Sequence, residues 1–165
     1  MTGLNFPVDG HRLRMAGDDD MAFIMDCMRR SILLSVPDDE AKHSDLWMDD
    51  ILNVTSIAMD GGMMRSELFV LEDHHGSREG MLWMGISRDQ FTCEETGYLL
   101  GVFVNEELRG KGLGKALMGC AGDWCVEKGL LSMTLNVGFS NRAAMSMYGH
   151  LGFEERSTVM RRRFR

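Results

Sequence analysis

The stretch that most limits what this chain can become runs from Tyr98 to Lys115, where an apolar run gives way to a glycine-rich turn and then to helical periodicity. Tyr98-Leu99-Leu100-Gly101-Val102-Phe103-Val104 is apolar at nearly every position, the pattern of a strand buried on both faces in the middle of a sheet. After the turn, Leu113, Leu117, Cys120, Ala121 and Trp124 recur at helical spacing. Amides left without partners at a helix N-terminus, together with the positive end of the helix dipole, bind an anion with little side-chain help. Gly110, Gly112 and Gly114 let a bulky anion come close to that backbone. The stretch therefore reads as a phosphate cradle hung from a central strand.

Two nucleotide motifs fail at named positions. G-x-G-x-x-G starting at Gly112 needs a glycine where Leu117 stands, and a P-loop needs Gly-Lys followed by a hydroxyl residue where Ala116 stands. What remains is Arg-x-x-Gly-x-Gly, a phosphate-binding turn that recruits no metal.

A second constellation lies downstream: Asn141, Ala144, Tyr148, Gly152 and Phe153, spaced as Asn-x-x-Ala-x-x-x-Tyr-x-x-x-Gly-Phe. Paired with Arg109, Gly112 and Gly114, it resembles the GNAT superfamily of N-acetyltransferases, closely over residues 98 to 160 and only in topology before that. The resemblance implies one N-acetyltransferase domain over residues 1 to 165, with a mixed α/β fold. Its sheet is expected to be twisted, mostly antiparallel and six- to seven-stranded, with about four flanking helices. The implied reaction is transfer of an acetyl group from acetyl-CoA, a co-substrate used without a metal, to a primary amine by direct attack in a ternary complex. The implied cofactor contacts are Phe103, Val104, Arg109, Gly110, Lys111, Gly112, Leu113, Gly114, Lys115, Asn141 and Tyr148.

Roles follow from the same resemblance. A backbone amide near Phe103 or Val104 holds the thioester oxygen where the central strand splays from its neighbour. Tyr148 is the proton donor to the departing thiolate, since a phenol of ordinary pKa about 10 is protonated at neutral pH. Asn141 caps its helix beside the cofactor. Many relatives place a glutamate base in the central strand; Thr96 occupies that place here, and Glu95, acting through a water chain, is the nearest substitute. Glu106 stands where relatives often carry proline, and Arg109 either pairs with a phosphate or braces the turn.

Composition narrows the partners. A net charge of −7 disfavours nucleic acid, whose phosphates demand basic surface. Acidic runs such as Asp18-Asp19-Asp20 and Asp38-Asp39-Glu40 suit attraction of a cationic amine, and suit helix capping and solubility equally well. The four cysteines, Cys27, Cys93, Cys120 and Cys125, form no Cys-x-x-Cys pair, which argues for free thiols rather than zinc or a disulfide framework. Neither a leader-like N-terminus nor a long apolar span is present, so a cytoplasmic protein without membrane contact is expected; a homodimer stays open.

Periodicity predicts a strand over 12–15, a helix over 21–34, and a second helix from Ser44 through Trp47, Ile51, Val54 and Met59, stopped at Gly61-Gly62. Strands over 67–72 and 80–87 flank a turn at His74 to Ser77, a strand over 131–137 and a helix over 141–151 follow, and 155–163 supplies one or two last strands. Two rival functions remain in view: a CoA-binding sensor without catalysis, and an acyltransferase for a different acyl-CoA, against which bulky Trp83, Phe103 and Phe139 weigh. The acceptor could be a small-molecule amine or a protein or peptide amine.

Overall fold

The computed structural model describes residues 4–59 and 64–164. A five-stranded sheet follows chain order, β1 (His11–Met15), β2 (Ser66–Asp73), β3 (Arg78–Arg88), β4 (Glu95–Val104) and β5 (Met133–Leu135). Neighbours pair antiparallel except β4 with β5, which run parallel. Helices α1 (Met21–Ser35), α2 (Asp38–Ala41) and α3 (Met48–Met59) lie between β1 and β2; α4 (Leu113–Glu127) links β4 to β5, and α5 (Arg142–His150) follows.

Strand alternation splits the apolar side chains into two cores. Leu71, Leu82, Met84, Leu99 and Val104 meet Leu117, Ala121 and Trp124 of α4, with Tyr148 of α5 in the same cluster. On the opposite face Val70, Met81, Trp83 and Phe103 meet Ile24, Cys27 and Met28 of α1 and Met48 and Leu52 of α3. β3 is buried along most of its length because it lies at the centre of both.

The start of α1 is tied to the sheet by a buried carboxylate. Asp20 accepts from both terminal nitrogens of Arg14, at 2.7 and 3.0 Å, from Nε of Arg78 at 2.6 Å and from the Gly17 amide at 2.8 Å. The Arg14 guanidinium holds the Asp20 carboxyl well below the usual carboxylate range, against the opposing effect of burial.

Three expectations change. The sheet has five strands rather than six to seven, because residues 155–163 form no strand. The tail is held instead by side-chain charge, Arg156 to Asp89, Arg161 to Glu40 and Arg163 to Asp39, while Val159 and Met160 stay exposed. The second helix also begins later: a short 3-10 turn at Ser44–Leu46 precedes α3, shifting its phase so that Met48 and Leu52 face the core while Ile51 and Val54 face outward. α2 went unforeseen, and the expected stop at Gly61-Gly62 lies outside the described residues.

Candidate active site

The site is built where β4 and β5 part. Their pairing joins Gly97 with Met133, Tyr98 with Thr134 and Leu99 with Leu135; beyond Leu99, among the described residues, no strand pairs with that edge of β4. At the same place β4 carries a one-residue bulge. β3 sets Met84 opposite Leu99 and Trp83 opposite Gly101, leaving Leu100 without a partner. Gly101 is closely packed there, a Cβ meeting Met81 Cε at 2.8 Å and Met28 Sδ at 3.0 Å, so a larger residue would displace those methionine ends.

Hydrogen bonds at the two ends of β4 orient its main chain. The Gly97 amide donates to the Ser132 carbonyl at 2.9 Å, toward β5, and the Asn105 amide donates to the Glu79 carbonyl at 2.8 Å, toward β3. Counting back from Asn105, alternation turns the amides of Phe103 and Gly101 toward β3 and those of Val104 and Val102 toward the opening. Of the two amides expected to face the thioester, only that of Val104 lies on the open side; Phe103 contributes its ring, in the α1-side core.

The turn beyond β4 has the expected form. Gly110 and Gly112 adopt φ of 77° and 84°, in the left-handed region that favours glycine. Gly112 is the N-cap of α4, no side chain caps that end, and the first turn contains no acid. The leading amides of α4, from Leu113 to Lys115, are therefore available to an anion, with the Lys111 and Lys115 side chains nearby. Gly114 lies against α5, where a Cβ would touch Met147 Sδ at an ordinary 3.5 Å.

Arg109 braces the turn. Its Nε donates to the Val104 carbonyl at 3.3 Å, its guanidinium lies 5.5 Å from the Phe103 ring centroid, and Nη2 is 3.9 Å from Glu106. Arg30 of α1 reaches the same ring at 4.7 Å and the same Glu106 at 3.4 Å, so one carboxylate holds two arginines at the mouth of the cleft. Arg30 was not legible in sequence, where it is one of several basic residues on a helix.

Tyr148 is buried on α5 against Phe153, ring centroids 5.5 Å apart, and belongs to the α4-side core. Burial pushes its phenol up to about 12. Asn141 caps α5, its Oδ1 accepting from the Ala144 amide at 3.2 Å. Glu95, by contrast, is not brought to the bulge. It lies at the outer end of β4, exposed and paired with Arg65 Nη2 at 3.2 Å. Five residues of strand separate it from Leu100, roughly 16 Å. Thr96 is buried and donates to the Ser132 carbonyl at 3.0 Å, a tie between β4 and the approach to β5.

A link that sequence reading missed spans the parting strands. Asn136 Nδ2, one residue past β5, donates to the Tyr98 hydroxyl at 2.6 Å. Gly97 and Leu99 face α4, where a Cβ on Gly97 would strike Cys125 Sγ, so Tyr98 between them faces the α1 side. Burial raises its phenol as well. No spacing rule marks this pair, because the two residues belong to different strands.

The three buried thiols are not nucleophile candidates: burial raises Cys27 to about 12 and pushes Cys120 and Cys125 up too. His150 is engaged on its own helix, its Nδ1 2.7 Å from the Ser146 carbonyl. No helix among the described residues is long and apolar enough to cross a membrane.

Known proteins share both sequence and shape with this chain. The profile of the acetyltransferase (GNAT) family matches residues 37–153. An uncharacterized N-acetyltransferase of Methanocaldococcus jannaschii is 38% identical over 58 residues, 35% of this chain and 26% of that protein, so the match spans about a quarter of that relative's length. Among solved structures, an acetyl transferase of Pyrococcus furiosus, described as putative, superposes with a TM-score of 0.72 at 20% identity, covering 93% of this chain and 99% of the other. Glucosamine-6-phosphate N-acetyltransferase of Arabidopsis thaliana gives 0.61 at 19% identity over 94% and 99%. The aminoglycoside N-acetyltransferase AAC(6')-Iy, in complex with a CoA bisubstrate analogue, gives 0.63 at 21% identity over 94% and 98%.

Proposed function

This chain belongs to the acetyltransferase (GNAT) family, and from that premise we propose that it transfers an acetyl group from acetyl-CoA to a primary amine by direct attack in a ternary complex. The observation that carries this reading is the coincidence at one point of β4 of three features: the Leu100 bulge, the loss of pairing with β5, and, a few residues on, the uncapped N-terminus of α4.

The chain's own groups suit each demand of the reaction. The amides at the start of α4 hold the pyrophosphate, with Gly110 and Gly112 shaping the turn and Lys111 and Lys115 adding charge. Outward-facing amides of Val102 and Val104 and the Val102 carbonyl hold the amide-bearing arm of the co-substrate, the Val104 carbonyl being taken by Arg109. A bulge releases main-chain N–H from the ladder, and at Leu100 that freed N–H receives the thioester oxygen as negative charge develops on it. The nitrogen lone pair forms the C–N bond, the C–S bond breaks with its electron pair on sulfur, Tyr148 gives the sulfur a proton, and the proton shed by nitrogen passes to water. Tyr148 then recovers its proton from solvent. The acceptor is a small-molecule amine or a protein or peptide amine, met in the cytoplasm.

Calorimetry with CoA, acetyl-CoA and succinyl-CoA, followed by thiol release with a panel of amines and peptides, tests this. Acetyl-CoA binding with release on one amine class is the expected result. Binding without release on any amine points to a CoA sensor, and no binding overturns the reading.

A further inference from the structure

We propose that Tyr98 and Asn136 are the amine-positioning pair of this site, with Asn136 fixing the Tyr98 hydroxyl at the apex of the parting strands and that hydroxyl receiving an N–H of the acceptor. This rests on the acetyl-transfer reading above.

Three observations converge on the pair. The Asn136–Tyr98 hydrogen bond, 2.6 Å, lies beside the last backbone pair, Leu99 with Leu135, and joins the strands where their own pairing ends. Tyr98 and Asn136 share the sheet face opposite α4, since Leu99, Met133 and Leu135 pack into the α4-side core and alternation turns 98, 134 and 136 the other way. α4 packs over the Leu99 face and α1 and α3 over the other, so in this proposal the amine enters on the Tyr98 face at the exposed edge marked by Asn136. The pair is also open: Tyr98 is half-buried and Asn136 exposed, so a substrate can touch both.

The chemistry fits an uncharged amine. A phenol oxygen offers two lone pairs, of which Asn136 Nδ2 occupies one. The second accepts an N–H from the acceptor, leaving the nitrogen lone pair free to point at a thioester carbon held by the bulge two residues along β4, roughly 7 Å by strand rise. Burial keeps the Tyr98 phenol protonated, so the hydroxyl orients the amine and does not take its proton. Asn136 touches no reacting atom and works through Tyr98. Neutral dipoles of this kind favour amines with a large neutral fraction near pH 7, such as α-amines of pKa about 8, over side-chain amines near 10.4.

The test uses the full chain with acetyl-CoA and three probe amines, a methionyl tetrapeptide, spermidine and neamine, reading thiol release, with calorimetry for acetyl-CoA. Tyr98→Phe is expected to lower kcat/KM for the amine about tenfold, the size of one lost hydrogen bond in a productive complex, and to leave acetyl-CoA affinity within about twofold. Asn136→Ala, at an exposed position, is expected to lower it about fivefold, and the double variant is expected to be no worse than Tyr98→Phe alone, because one residue acts through the other. Additive losses, a matching loss of acetyl-CoA affinity, or full activity in Tyr98→Phe overturns the pair while the transferase reading stands. No thiol release by the unaltered chain on any of the three amines overturns the transferase reading and the pair with it.

Discussion

The two tyrosines lie on opposite faces of the sheet, and their surroundings differ. Tyr148 is packed into the α4-side core against Phe153, whereas Tyr98 is half-buried on the α1 side with its hydroxyl held by Asn136. Burial raises both phenols, that of Tyr148 to about 12. In the proposed reading the same group is set for two jobs by depth and by the Asn136 hydrogen bond: the buried tyrosine would keep a proton for a thiolate, and the half-buried one would offer an oriented oxygen to an incoming molecule. The difference extends to the whole faces: one is a helix-on-sheet core beside the uncapped start of α4, the other is a helical cover pinned at its start by Asp20.

The largest effect that can break this contrast is at the cradle. Gly112→Glu puts a carboxylate and a strained left-handed residue at the cap of α4, and is expected to abolish acetyl-CoA binding in calorimetry while the α1 side keeps its fold. Next is Tyr148→Phe, which keeps the buried ring and removes the proton: kcat is expected to fall about 100-fold with acetyl-CoA affinity unchanged. Retained turnover would show that the buried tyrosine is packing alone.

Breaking the pin on the other face is a stability experiment. Asp20→Ala leaves Arg14 and Arg78 short of a partner and is expected to cost about 3 kcal/mol in urea unfolding. The same carboxylate gives a pH signature. Its folded pKa lies below its unfolded value of about 3.9, so the stability it contributes is fully present above that value and is lost as pH falls through the acid range. The unaltered chain should therefore lose more stability between pH 5 and pH 2, by roughly 2 kcal/mol, than Asp20→Ala does.

A finer test uses the rate profile. Because Tyr148 titrates near 12, no loss of its proton is expected below about pH 10, and kcat/KM should rise with the acceptor amine's own ionisation and then level off. A descending limb near pH 8 would name a different acid. The smallest effect concerns thiols: Cys93, exposed on a loop, should take up iodoacetamide while buried Cys27, Cys120 and Cys125 resist and activity holds.

The glycine turn, the cap of α5 and the central strand were legible in the sequence because their signals are local. Gly110 and Gly112 stand where the backbone needs positive φ, Asn141 stands where a helix needs a cap, and Tyr98 to Val104 read as a central strand. What escaped depends on tertiary register. The bulge at Leu100 is set by how β3 aligns with β4. The ion pair that engages Glu95 at the outer end of β4 joins it to Arg65, thirty residues away in sequence. Asn136 and Tyr98 meet only through parallel pairing of two strands separated by all of α4. The last strands failed for a related reason: the sequence of 155–163 says nothing of whether a partner edge is long enough, and β5 has three residues.

That brevity has a further consequence for the order in which the fold comes together. β2, β3 and β4 pair through short connections and can zip locally, whereas β5 returns only after a helical crossover and adds three residues of parallel ladder. The weakest seam of the sheet is therefore the one that, in the proposed reading, the co-substrate straddles. A molecule bridging it would tie β4 to β5 where the backbone does not, linking ligand binding to the stability of the fold. Amides of Met133 to Leu135 should exchange with solvent early in the free protein and become protected, out of proportion to the rest of the sheet, when acetyl-CoA is added.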